Sequence, residues 1–118
     1  MLAFYDRGGN PVAYGIDCGD LHLYSGEPVG YLEEDSVYSF RGKHLGWYAG
    51  GWIRDHEGQP VFFTREANGF PLRPAMLSEP EGNGVCEAPA RAPKEPKPEP
   101  APIRLQWSLL SSVRFFEE

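Results

Sequence analysis

Two cysteines, Cys18 and Cys86, are too few and too far apart in sequence for a disulfide framework or a four-ligand zinc site, so both are expected as reduced thiols. Positive charge is also scarce. Eleven Lys and Arg stand against 17 Asp and Glu, a net charge of −6, and phosphate-rich partners select basic faces. Nucleic acid and anionic membrane surfaces are therefore not expected as partners. No apolar run approaches the ~18 residues of a spanning helix, and the start MLAFYDRGGN lacks a basic stretch leading into an apolar one. A cytoplasmic address is the expectation. At 118 residues the chain suits one small domain.

Composition divides what is there into three parts. Residues 1–77 hold 13 of the 16 aromatics and 12 of the 14 glycines, and can build a core. Residues 78–102 carry seven of the twelve prolines and almost no large apolar side chain, so they read as a disordered or polyproline II linker. Residues 103–118, IRLQWSLLSSVRFFEE, regain hydrophobicity and read as an apolar C-terminal motif.

The first part is internally repeated. Aligning Gly9, Gly26, Gly42 and Gly58, spaced 17, 16 and 16 apart, puts Pro11, Pro28, His44 and Pro60 two residues later. Val12, Val29, Leu45 and Val61 follow at three, and Tyr14, Tyr31, Trp47 and Phe63 at five. Phe4, Leu21, Val37 and Ile53 stand five before. Glycine supplies the positive φ of a tight turn and proline suits the first position of a strand, so each unit reads as a β-hairpin. The period-two rule places the residues at three and five on one face, the expected core. The position between them is small in three copies (Ala13, Gly30, Gly46), which implies a close approach on the other face; Phe62 departs from this. Further turn signals lie between the units. The predicted fold class is all-β: four hairpin units of about 16 residues, about eight short strands in a meander, with no helix before residue 78.

The registered units FYDRGGNPVAY, LHLYSGEPVGYL, VYSFRGKHLGWY and IRDHEGQPVFF resemble the four-fold beta flower family of small bacterial proteins. The resemblance covers residues 1 to about 70, and the Pro-rich linker with a short Trp- and Phe-containing end is similar too. It implies four related units about a pseudo-four-fold axis. It brings no established activity and no catalytic residues.

Motifs for chemistry are sparse. His22, His44 and His56 occupy three different places in the repeat, so symmetry does not bring them to one axis; they read as turn and surface histidines, with no metal site and no cofactor expected. His44 replaces the proline of the other copies and so restores a backbone N–H. Asp55-His56-Glu57 sets an imidazole between two carboxylates, yet no activated nucleophile accompanies it. Asp6-x-x-Gly9 and Asp55-x-x-Gly58 lack the other ligands of a calcium loop and read as Asp bonding its own backbone. A non-enzymatic protein is expected.

The turns linking the units carry Asp17, Asp20, Glu33, Glu34, Asp35 and Glu66 against Arg65 alone, an acidic rim whose centre is Glu33, Glu34 and Asp35. In the tail, Trp107, Leu110, Phe115 and Phe116 are the candidate interaction residues. Burying each contributes about 1.5 to 3 kcal/mol, against about 3 kcal/mol to close the linker. Fourteen extended residues reach about 43 Å, enough for the tail to meet its own domain or a neighbour's. The functional expectation is an interaction or self-assembly module whose partner is itself, by cis docking or homo-oligomer, or another protein. The alternative is a small-molecule or metal-binding protein with an axial pocket lined by Tyr14, Tyr31, Trp47 and Phe63.

Overall fold

Each of the four repeats turns on the same pair of backbone hydrogen bonds. The N–H of Gly9, Gly26, Gly42 and Gly58 donates to the carbonyl three residues earlier (2.9, 2.9, 3.0 and 3.0 Å), while that earlier residue donates to the carbonyl four residues on. Closing such a turn needs a left-handed residue at its fourth position, and the four glycines have φ of 80°, 97°, 89° and 82°. Asp6 Oδ1 accepts from the N–H of Gly8 and Asn10, and Asp55 Oδ1 from Glu57 and Gln59, the local turn chemistry read from the sequence.

The computed structural model describes residues 2–16, 19–69, 71–80, 87–110 and 113–117. Cys18, Cys86 and the rim acid Asp17 lie outside the described residues. The four hairpins are β1 (Leu2–Tyr5) with β2 (Pro11–Gly15), β3 (Asp20–Leu23) with β4 (Pro28–Glu33), β5 (Ser36–Tyr38) with β6 (His44–Ala49), and β7 (Trp52–Arg54) with β8 (Pro60–Phe63). All eight pair antiparallel with their sequence neighbours, and β8 returns to β1, closing a barrel. The linking turns repeat as well: Leu32, Tyr48 and Thr64, 16 apart, donate to the carbonyls of Gly19, Asp35 and Gly51, also 16 apart. Closure was not read from the sequence. It rests on one register pair, Tyr5 opposite Phe63, whose rings stack at 5.3 Å.

The structure corrects which residues face inward. Phe4 pairs with Ala13 while Tyr5 pairs with Pro11, so the register skips Val12. It skips Val29, Leu45 and Val61 in the same way. Such a bulge lets two successive residues serve one face. The interior therefore takes Phe4, Leu21, Val37 and Ile53 together with Ala13, Phe62, Leu45 and Val61, with Val12 and Val29 packed against them. Tyr14, Tyr31, Trp47 and Phe63 stand instead on four separate outer faces. All four are buried, as expected, but outside the interior cluster, so the extra residue separates them from the valine column and from any axial pocket.

Three small residues inside a narrow barrel leave space, and the C-terminal segment fills it. The 3₁₀ helix Arg114–Glu117 carries Phe115 and Phe116 into the interior cluster. Phe115 meets Phe62 edge-on at 5.7 Å and Phe116 stacks on it at 5.6 Å. Phe115 lies 3.1 Å from the Cβ position that Gly46 lacks, and Phe116 3.8 Å from that of Gly30. Phe62, the exception in the small-residue column, is thus the platform for the two tail rings.

In its described residues, the segment between barrel and plug lies along the wall as a strap without helix or strand. The N–H of Leu77 donates to Gly9 O, that of Glu95 to Gly42 O and that of Arg104 to Gly58 O (2.9, 2.9 and 3.0 Å). A Cβ at these three glycines would collide with the carbonyl oxygens of Ala75, Pro93 and Pro102. The turn glycines therefore serve twice, once for φ and once as notches for the strap. The segment 78–102, expected as a spacer, is anchored to the barrel by backbone hydrogen bonds in its described part.

Two substitutions read this arrangement. Gly69 has φ 79° with nothing near its Cβ position, so Gly69→Ala is expected to lose about 1 kcal/mol, whereas Gly42→Ala, which also unseats Pro93, loses at least about 3 kcal/mol in urea unfolding. Equal losses would mean that the strap does not rest on the turn. Phe115→Ala is expected to lose about 3 to 5 kcal/mol, because its fully buried ring packs against Phe62 in the interior.

Candidate functional site

The acidic rim and the outer aromatics, separate features in sequence, form one set of receptacles for cations of the strap. Arg91 lies 4.0 Å from the centroid of Tyr31 and pairs with Asp20 at 2.7 Å. Lys94 lies 5.8 Å from Tyr38 and pairs with Glu33; Lys97 lies 5.5 Å from Trp47 and pairs with Asp35. Each receptacle combines a ring on a strand with a carboxylate at or beside a linking turn. Tyr24, on the second hairpin, donates to Glu79 Oε1 at 2.6 Å. The Lys97 hydrogen bond holds the Asp35 carboxyl below its ordinary range, and the carboxylates in turn raise Lys94 and Lys97. Burial, ahead of its charged neighbours, raises the Tyr31 phenol. Of the three rim residues singled out in the sequence, Glu33 and Asp35 receive strap lysines; Glu34 caps its turn with φ 56° and has no ion pair among the described residues.

The third repeat adds a backbone donor of its own to the strap. Its His44 N–H, present because the proline is absent, donates to Glu95 Oε1 at 2.6 Å. The His44 ring is buried between Ser36 Oγ at 3.2 Å and His56 Nε2 at 2.9 Å. Burial first, and the charge of His56 second, lower its pKa to about 4. His56 belongs to this pair rather than to an acid and base pair with Asp55, whose carboxylate is spent on its own turn and on Ser108 Oγ at 2.7 Å. His22 lies apart, stacked on Tyr14. Among the described residues no group of three His, Cys, Asp or Glu is placed to hold a metal ion.

The candidate tail residues divide between two places. Trp107 covers the closing seam, 5.8 Å from Trp52 and 6.3 Å from Phe63, and Ser108 N–H donates to Pro60 O at 2.9 Å. Leu110, Phe115 and Phe116 close the mouth on the glycine-turn side. The strap residues Arg91, Lys94, Glu95, Lys97 and Arg104 were missed in the sequence, as was Arg54, which donates to Arg104 O at 2.8 Å. One signal was available. Ala92-Pro93 and Ala101-Pro102 recur nine residues apart, and Ala75 precedes Pro93 by 18, a period matched to the glycine notches.

The His44 pair makes stability pH-dependent with a definite sign. A histidine at about 4 in the folded chain and about 6.5 when unfolded favours unfolding when protonated, so its contribution is complete above about 6.5 and is lost as pH falls toward about 4. Wild type is expected to lose up to about 3 kcal/mol more than His44→Gln across that range in urea unfolding. Parallel curves for the two proteins would contradict the assignment.

Among the described residues no helix is long and apolar enough to cross a membrane. A search of curated proteins and a search of solved structures found no match. The family model described as 4-fold beta flower protein matches residues 2–116, a span that takes in both the repeats and the whole strap, and the chain belongs to that family.

Proposed function

We propose that this protein is a non-enzymatic binding module that receives an extended, proline-rich, cationic protein segment along its outer wall, with its own residues 87–104 as the resident segment. The observation that carries this reading is the run of three cation, ring and carboxylate receptacles at Tyr31, Tyr38 and Trp47. Aromatic-lined grooves take proline-rich segments in this manner because the segment is already extended and loses little entropy on docking. Glycine notches and the His44 N–H add backbone recognition, which reads spacing rather than side chains. A segment from a second copy fits as well as the resident one, so self-assembly by strap exchange belongs to the same reading. The cytoplasm and a bacterial host suit such a module.

Small-molecule binding in an axial pocket is not carried forward, since the four aromatics named for it do not converge. Enzymatic chemistry has no support in the site, because Ser36, the hydroxyl beside His44, is buried.

A tethered strap acts at an effective concentration on the order of millimolar, so a free segment competes only when the resident one is weakened. In full-length protein carrying Lys94→Glu and Lys97→Glu, a labelled peptide of residues 87–110 is expected to bind at least about tenfold more tightly than to wild type, and to lose affinity with added salt. Failure of the folded variant to take up the peptide would overturn the proposal.

A further inference from the structure

Three of the four outer faces carry a cross-strand pair of stacked rings. Tyr14 pairs with His22 (centroids 5.9 Å apart, 21° between planes), Tyr31 with Tyr38 (5.7 Å, 22°) and Phe63 with Tyr5 (5.3 Å, 22°). All three are direct register partners. The fourth such pair is Trp47 opposite Arg54, where the register partner carries no ring; the ring beside Trp47 is instead His44 of its own strand, 4.5 Å away and tilted by 58° rather than stacked. The Arg54 guanidinium leans away, 5.7 Å from the centroid of Trp52, and the small Ala49 stands opposite Trp52.

A groove of about 480 Å³ opens at this face, within the roughly 300–1,000 Å³ common for small-molecule sites. Trp47, Ala49, Trp52 and Arg54 line its barrel side, and Ile103 and Leu105 of the strap line the other. Trp52 is fixed in place by its indole N–H, which donates to Asn68 O at 2.6 Å.

Charge selects the ligand class. Arg54 is half-buried and donates through Nη1 to the carbonyls of Gly58 and Arg104 at 3.1 and 2.8 Å. Among the described residues it has no carboxylate partner, and its Nε and Nη2 donate no hydrogen bond. A desolvated guanidinium with only neutral acceptors lacks its counter-charge. Asp35, the acid at the edge of the groove, is committed to Lys97. A dianion would still feel Asp35, so one guanidinium suits a single carboxylate.

We propose that this groove binds a small aromatic carboxylate, its ring taking the place of the absent fourth ring against Trp47 and its carboxylate paired with Arg54. The site does not require strap exchange: it is formed with the strap in its resident position, Ile103 and Leu105 supplying one wall. Trp47 and the groove are specific to the third hairpin and the following strand β7, so one site per chain is expected.

The probe is 2-naphthoate added to the full-length chain, read by the indole N–H signals of the three tryptophans, with 2-naphthamide and inorganic phosphate as comparisons. Saturable shifts of Trp47 and Trp52 with naphthoate, weakened at least about tenfold for the amide and in Arg54→Gln, are expected; phosphate is expected to leave both signals in place. Ala49→Leu, which fills the groove without touching Arg54, is expected to abolish the shifts, and Arg54→Lys to retain part of them. Absence of saturable shifts would overturn the site. Equal binding of naphthoate and amide would overturn the role of Arg54, as would undiminished binding by a folded Arg54→Gln protein.

Discussion

The strap meets the barrel where the barrel has no side chains. At Gly9, Gly42 and Gly58 the turn glycine exposes its Cα and offers its carbonyl, and the strap presses a carbonyl into the gap while donating an N–H two residues on. The rest of the architecture follows from that contact. It sets the spacing of the strap and carries Arg91, Lys94 and Lys97 to their rings. It also delivers Trp107 to the seam and Phe115 and Phe116 to the mouth. A Cβ would close the gap, so the residue that makes the turn possible also makes the docking possible.

A barrel of four short hairpins has a packing problem that the plug resolves. Gly30 and Gly46 are small because the neighbouring strand and the tail rings come too close for anything larger. The hairpins by themselves leave the interior short of volume. Two phenylalanines from the far end of the chain, packed against Phe62, supply it. Trp107 does the same for the one weak joint in the sheet, where β1 and β8 share a single register pair. The tail is therefore part of the fold, and the fold reaches across the chain as the family match does.

Pseudo-symmetry makes the departures from it informative. Four units that agree in turn, bulge and outer ring differ at few places, and those places carry the chemistry. His44 replaces a proline and gains the N–H that holds Glu95. Phe62 replaces a small residue and becomes the floor of the plug. Arg54 replaces an outer ring and leaves a half-buried cation beside an open groove. A perfectly repeated barrel would present four equal faces; this one presents three filled faces and one open face.

The repeat, its period and its turn chemistry were legible in the sequence, because glycine at positive φ and the apolar residues around it obey local rules that each copy states again. Two things were not. The outer position of Tyr14, Tyr31, Trp47 and Phe63 depends on a bulge at Val12, Val29, Leu45 and Val61, and one extra residue reverses a period-two argument without leaving a compositional mark. The strap reads as a spacer because backbone hydrogen bonds and glycine notches hold it, and neither changes hydrophobicity. Sequence alone therefore determined four hairpins and an apolar end. Tertiary structure decided the closure of the barrel and the meeting of strap cations with rim acids, since both depend on contacts between residues 50 or more apart in the chain, and the bulged pairing within each hairpin decided the inward and outward assignment.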